Sequence, residues 1–342
     1  MDQVWLWVGF NVFVLAMLAL DLGVFHRDAH EVGLKEATVW SIVWVVVALV
    51  FNLGVYVFMG TEPALEFLTG YLIERALSID NIFVFVLIFS YFRVPARFQH
   101  RVLFWGILGA LVMRGAMIGA GTWLVNRFHW VLYVFGAFLV VTAIRMARHE
   151  EHDIEPEANP VLKVVRRFLP ITARYHDKKF FVQEATGPGG VLRRMATPLF
   201  VVLVLVETTD LIFALDSIPA IFAVTQDPFL IYTSNVFAIF GLRALYFLLA
   251  GVIDRFHYLK AGLSIVLGFV GVKMLLMDVY EIPIAVSLLV IAVVLVGAVA
   301  LSLFFPKQLE EGASGSRKPL RPVMASTPPR EEGSGVGPGA GV

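Results

Sequence analysis

Long apolar runs alternate with short polar breaks along most of this chain. A bilayer core takes about 20 apolar residues per helix, and nine runs come near that length: 4–22, 38–59, 65–91, 101–124, 130–147, 199–223, 231–252, 260–279 and 284–304. The runs are continuous and do not alternate residue by residue, so they predict helices and not barrel strands. The pattern is that of an all-α polytopic membrane protein with nine transmembrane helices. After 306 the chain turns to Gly, Ser, Pro and charge, ending "EEGSGVGPGAGV". Such a segment has little apolar area to bury and is expected to be disordered. The expected division is a membrane domain over 1–306, with a long loop at 148–198, and a tail over 307–342. The opening "MDQVWLWVGFNVFVLAMLALDLGVF" lacks the basic start and small-residue cleavage site of a signal peptide, so it reads as a span that stays.

Composition agrees with the pattern. Of 342 residues, 58% are hydrophobic and 16% charged, too apolar to cover a soluble surface. Net charge is zero, so no nucleic-acid partner is expected, and the absence of cysteine excludes disulfides and thiolate chemistry. Lys and Arg are unevenly spread over the connections. Arg27, Lys35, Arg93, Arg97, Arg255, Lys260 and Lys307 fall on one set of loops. The 148–198 loop of the same set adds Lys163, Arg166, Arg167, Arg174, Lys178, Lys179, Arg193 and Arg194. The alternate connections hold "GTEP" at 60–63, Arg127 alone and "TQDPF" at 225–229. Basic loops stay in the cytoplasm. The N-terminus is then outside and the C-terminus inside, which suits a bacterial inner membrane.

Against this background the stretch "LVLVETTDLIFALDSIPAIFAV" at 203–224 is anomalous, because it carries Glu207, Asp210 and Asp216. A charge at the bilayer centre is expensive and marks a pathway or site by default. The stretch also has an echo: "ERALSIDNIFVF" at 74–85 lines up with "DLIFALDSIPAI" at 210–221. Glu74 matches Asp210, Asp80 matches Asp216, and Asn81 matches Ser217. Each segment opens a group of three spans. Arg114 and Arg243 fall in the second spans, Arg145 and Lys273 in the third. The span count gives spans 3–5 and 6–8 opposite directions, the inverted-repeat plan of many transporters.

At about 100° per residue, Glu74, Ser78 and Asn81 share one helix face, and Glu207, Asp210 and Ser217 share another. Asp80 and Asp216 lie about 120° off those faces. Pro219 clashes with the carbonyl of Leu215, and a break there is expected to swing Asp216 inward. Asp80 has no such device. The donors are carboxylates, amide, hydroxyl and carbonyl oxygens, which suit Mn²⁺, Mg²⁺ or Ca²⁺. Arg114, Arg243 and Lys273 are expected to supply countercharge.

Blander readings stand beside this one. The carboxylates could be structural ion pairs with those cations, or a proton relay. Asn52 suits an interhelical hydrogen bond, and "GILGALVMRGAMIGAG" suits close helix packing. "RHEEHDIEPE" at 148–157, with His149 and His152, resembles a metal site but fits a solvated charge run. No nucleophile elbow, P-loop or HExxH motif is present, so no enzyme is expected.

Several segments together resemble the TerC family of integral membrane proteins. They include "FLTGYLIERALSIDNIFVF", "HRVLFWGILGALVMRG", "KKFFVQE", "ATPLFVVLVLVETTDLIFALDSIPAIFAVTQDPF" and "RFHYLKAGLSIVLGFVGVKML". The resemblance covers about residues 5–305. It implies a transporter of the LysE type with Mn²⁺ as the exported ion, tellurium resistance as the phenotype behind the name, a link to metal supply for exported enzymes, and membrane or secretion-machinery partners. It points to Glu74, Asp80, Asn81, Glu207, Asp210 and Asp216 as the metal residues. The competing expectations are a membrane-anchored stress-resistance subunit acting through partners, and a Ca²⁺/H⁺ exchanger.

Overall fold

The computed structural model describes residues 3–23, 33–148, 191–250 and 258–304, with most of 167–186. His149, His152 and the tail from 307 lie outside the described residues. The membrane part forms one compact unit, Met1–Lys307. Its helices are α1 (Gln3–Gly23), α2 (Leu34–Met59), α3 (Thr61–Tyr91), α4 (Ala96–Arg127) and α5 (Val131–Arg148), then α6 (Pro198–Phe222), α7 (Pro228–Phe240), α8 (Leu242–Leu249), α9 (Leu259–Leu275) and α10 (Ile284–Phe304).

Among the described residues each expected span falls largely on helix, with 276–279 in turn. Among the described residues six stretches are long and apolar enough to cross a membrane: α2, α4, α5, α6, α10 and Pro228–Leu249, which joins α7 to α8. The other three expected spans fall short for different reasons. The apolar part of α1 is the shorter Val4–Ala19. Helix α9 has 17 residues. Helix α3 has 31 residues but carries Glu62, Glu66, Glu74, Arg75 and Asp80. A helix so charged crosses lipid only if neighbours enclose it. That is its situation, because α2, α6, α7, α8, α9 and α10 all pack against it.

Small residues set the close crossings, as expected where lipid removes the hydrophobic drive between helices. Gly106 of α4 faces Val206 of α6, and Gly121 faces Phe222. The two pairs advance together, so α4 and α6 run parallel. Gly136 of α5 and Gly271 of α9 meet backbone to backbone. A Cβ on Gly136 would lie 3.0 Å from the Gly271 carbonyl, and Ala143 meets Gly268 one step further on. That order makes α5 and α9 antiparallel. Gly70 of α3 faces both Ser234 of α7 and Ile221 of α6. From there α3 runs with α7 and against α6.

Helix α7 stops at Gly241, and α8 begins at Leu242. The Arg75 guanidinium fills the space beside Gly241 that any Cβ would need. From there it donates to the Ala238 carbonyl at 3.2 Å.

The expected all-α architecture needs one correction. Inside the 148–198 loop, β1 (Phe181–Thr186) and β2 (Val191–Ala196) pair antiparallel, with Phe181 opposite Ala196 and Glu184 opposite Arg193. The signal was present as two short β-prone runs around "GPGG" at 187–190. This hairpin is fastened to the helical bundle. The Tyr175 hydroxyl donates to the Phe92 carbonyl at the end of α3 at 2.8 Å. Thr197 donates its hydroxyl to the Lys179 carbonyl at 2.8 Å just before α6 begins. Phe181 packs on Phe200 with ring centres 4.6 Å apart. Burial pushes the Tyr175 phenol up to about 12, so its hydroxyl keeps the proton it donates.

Candidate metal site

Two layers of polar side chains meet where α3, α4, α5, α6 and α7 converge. The deeper layer is ionic. Helix α3 aims Glu74 inward and α6 aims Asp210 toward it, both under 5% exposed. Between them lies Arg114 of α4, at 2% exposure. The guanidinium grips Asp210 in a fork, Nη2 donating to Oδ1 at 3.1 Å and Nε to Oδ2 at 3.3 Å. Nη1 donates to Glu74 Oε1. It also reaches Asn235 Oδ1 on α7 at 2.9 Å and Ser217 Oγ at 3.4 Å. Asn81 Nδ2 donates to Asp210 Oδ1 at 3.2 Å. One guanidinium faces two carboxyl groups, so the trio carries a formal excess of one negative charge. Burial of such a group is tolerable only because almost every atom is paired.

The second layer borders open space. A cavity whose water-sized volume is about 40 Å³ lies among α3, α5, α6 and α9. Its polar wall is Glu74, Asp80, Asn81, Arg114, Asp216 and Ser217. The remainder is Leu77, Phe213, Leu267 and Met146. At about 10–15 Å³ per water this holds about three waters. Asp216 accepts from Thr142 of α5 at 3.3 Å. Two buried oxygens among the wall residues, Glu74 Oε2 and Asn81 Oδ1, have no hydrogen-bond partner. Buried acceptors of that kind are uncommon and call for an explanation.

Several sequence expectations change here. No break occurs beside Asp216, since α6 runs through Pro219 to Phe222. Pro219 lies inside α6 and withholds one helix bond from the Leu215 carbonyl without breaking the helix, and Asp216 reaches the cavity where α5 and α9 wall that side. Asp80 reaches it from α3 in the same way. The matched pairs meet: Glu74 and Asp210 at Arg114, Asp80 and Asp216 at the cavity, Asn81 and Ser217 on its wall. Ser78 is buried on the face of α3 that carries Glu74 and does not line the cavity. Glu207 does not line it either. Its carboxyl packs against Gly109 of α4, and Oε2 has no partner.

Arg243 and Lys273 do not line this cavity. Arg243 lines a separate small cavity with Trp44 and Phe240. Among the described residues no three His, Cys, Asp or Glu side chains stand close enough to hold a metal ion as they are. The sequence reading missed Asn235, Thr142 and Met146. A lone Asn or Thr in an apolar run carries no cost large enough to draw notice.

Fold and site together define an integral, multi-pass membrane protein built around an enclosed ionic core. The chain belongs to the TerC family, matching the family described as integral membrane protein TerC over residues 59–310. It is 54% identical over 298 residues to an uncharacterised membrane protein of Myxococcus xanthus, covering 87% of this chain and 92% of that one. It is 50% identical over 300 residues to Alx of Escherichia coli K12, described as a proposed membrane-bound redox modulator, with 85% and 92% covered. An uncharacterised membrane protein of Rickettsia felis is 42% identical over 297 residues, with 86% and 96% covered. No solved structure matches the chain.

Proposed function

We propose that this protein is a secondary transporter that exports divalent cations, Mn²⁺ first among them, from the cytoplasm by alternating access. The observation that carries the reading is the cavity itself. Asp80 and Asp216 enter it from two antiparallel helices, and unpartnered oxygens of Glu74 and Asn81 belong to the same wall. Carboxylates with spare hard oxygens in a small space suit a cation that has lost part of its water. The wall groups are not yet gathered around one point, so binding requires them to close in. Arg114 holds Glu74 and Asp210 meanwhile, and an arriving cation competes with it for their oxygens. The preference for Mn²⁺ over Ca²⁺ comes from the family resemblance.

The helix directions support an inverted repeat of α3–α5 and α6–α9. Helices α3, α5 and α7 run one way, and α4, α6 and α9 the other. Contacts are also reciprocal: α3 packs on α7 as α4 packs on α6, and α5 pairs with α9. The repeat is imperfect, since α4 is continuous while its counterpart breaks at Gly241. The proposed setting is the bacterial inner membrane, with the basic hairpin and the C-terminus cytoplasmic.

Two observations bear on the alternatives. A stress-resistance subunit would need only structural carboxylates. The Arg114 trio has that character, but Asp80 and Asp216 line the cavity. Alx is described as a redox modulator, yet this chain has no cysteine. Thiol exchange cannot be carried by its own residues, so a redox effect would follow from a partner or from the metal it moves.

The test is uptake of radioactive Mn²⁺ into inside-out vesicles, wild type beside Asp216→Asn at matched protein levels. The reading requires accumulation in wild type and none in the variant. Equal uptake in both, no higher than in empty vesicles, would remove it. Metal displaces protons from carboxylates, so proton antiport is the proposed coupling, and uptake should weaken toward acid. A flat profile between about pH 5 and 8 would remove the antiport alone.

A further inference from the structure

The donor set read from the sequence was all oxygen, but the cavity wall is not. Met146 lies in the last turn of α5 and brings sulfur to the lining. Thr142, four residues earlier, donates to Asp216 at 3.3 Å. Residues four apart share a helix face one turn above the other, so Met146 sits on the face of α5 turned toward Asp216. Its inner flank packs on the apolar cluster that includes Leu139, Ala143 and Leu267.

A methionine that only filled space would be unremarkable, since it adapts to irregular gaps. The same wall already uses Leu77 and Leu267 for filling. What Met146 adds is a thioether side chain in the same lining as Asp80 and Asp216. The cavity has room for about three waters, so an ion inside cannot keep a full hydration shell and must take wall atoms instead. Ca²⁺ and Mg²⁺ take oxygen, and Mg²⁺ gives up water reluctantly. For them a thioether occupies a position without repaying the lost water. Transition ions accept sulfur more readily than these do, Mn²⁺ least among the divalent ones.

We propose that Met146 is a selectivity residue of the cation site, its Sδ ligating the ion beside oxygens of Asp80, Asp216 and Asn81 and discriminating against Ca²⁺ and Mg²⁺. This rests on the cavity being the cation site of the proposed transporter. It adds what the family resemblance left without a physical cause, the exclusion of Ca²⁺. The bond is dative, with the sulfur lone pair replacing that of a departing water, so no proton or electron is left over.

The experiment has a binding arm and a transport arm on the full chain. In the binding arm, Cd²⁺, Mn²⁺ and Ca²⁺ are titrated onto purified wild type and Met146→Leu, a swap that conserves volume. The expected result is a fall in Cd²⁺ affinity of about 10–100-fold in the variant, the scale of losing one contributor to a metal site, with Ca²⁺ affinity unchanged or higher. In the transport arm, excess Ca²⁺ should leave Mn²⁺ uptake by wild type intact and suppress it in Met146→Leu. Unchanged Cd²⁺ affinity and unchanged Ca²⁺ competition in the variant would overturn the proposal and leave the transporter standing. Met146-dependent Cd²⁺ binding without Mn²⁺ uptake would do the reverse. Wild type that binds none of the three ions overturns both. X-ray absorption on Cd²⁺-loaded wild type needs no variant: a shell containing sulfur supports the ligand, and oxygen alone refutes it.

Discussion

Arg114 occupies the place between Glu74 and Asp210 that a bound cation would otherwise claim. Its removal should therefore be felt first as instability. Arg114→Ala leaves two buried carboxyl groups facing each other, and breaking a buried ionic group costs about 3–5 kcal/mol. Thermal unfolding in detergent should show the loss, and Arg114→Lys should recover only part of it, because lysine cannot make the two-pronged grip on Asp210. Asp80→Asn and Asp216→Asn should behave differently. Both side chains border the cavity and Asn keeps their shape, so stability should change by about 1 kcal/mol, the scale of one hydrogen bond, while Mn²⁺ uptake disappears. A variant that loses folded protein in step with uptake would turn these aspartates into scaffold. The split between the two groups was not legible in the sequence. Carboxyl groups in an apolar run announce themselves through their cost, and the repeat pairs them correctly. Nothing in the run says that one pair is held by arginine and the other borders space. Arg243 was matched to Arg114 on position alone, yet it lies across the bundle beside Trp44.

Among the elements, the α4–α6 contact is the tightest near the site. Gly109 leaves room for the Glu207 carboxyl, and a methyl group there would collide with it. Gly109→Ala should cost about 1–3 kcal/mol, the range for overpacking. The double change Gly109→Ala with Glu207→Ala should restore most of that, and unfolding midpoints of the single and double variants measure it. A Gly109→Ala protein as stable as wild type would mean the carboxyl swings aside freely. The hairpin makes a pH prediction through Tyr175. Its phenol titrates near 10 when unfolded and about 12 when docked. The docked form is thus the more protonated one, so stability is whole below about 10 and is lost as pH rises toward 12. Tyr175→Phe should abolish this alkaline step, and proteolysis of the hairpin against pH would read it. The helices were legible because a period of about 20 apolar residues is a strong signal. The hairpin left a local signal in its two β-prone runs, but its docking did not, because a basic loop reads as solvated charge until Tyr175, Thr197 and Phe181 are seen fastened to helix ends.

At the scale of the whole molecule, the alternation of helix directions is a claim about sides of a membrane. The chain has no cysteine, so single cysteines report without interference. Glu62→Cys, His129→Cys and Glu281→Cys should react with an impermeant thiol reagent from outside, and Arg97→Cys and Arg193→Cys only after the membrane is opened. Any one of these reacting from the wrong side breaks the arrangement. Six of the nine expected spans meet the demands of length and apolarity, and α3 is the instructive exception. It reads as a span only because its charges are enclosed by helices encoded far away, which periodicity cannot register. The same enclosure has a consequence in time. Asn81 and its partner Asp210 are 129 residues apart, and a ribosome adding about 5–20 residues per second needs roughly 6–25 s to cover that distance. Throughout that interval α3 has left the ribosome with Arg114 soon available and Asp210 not yet made. The nascent chain must therefore be sheltered by the insertion machinery, or wait at its exit, until the second half arrives to complete the first.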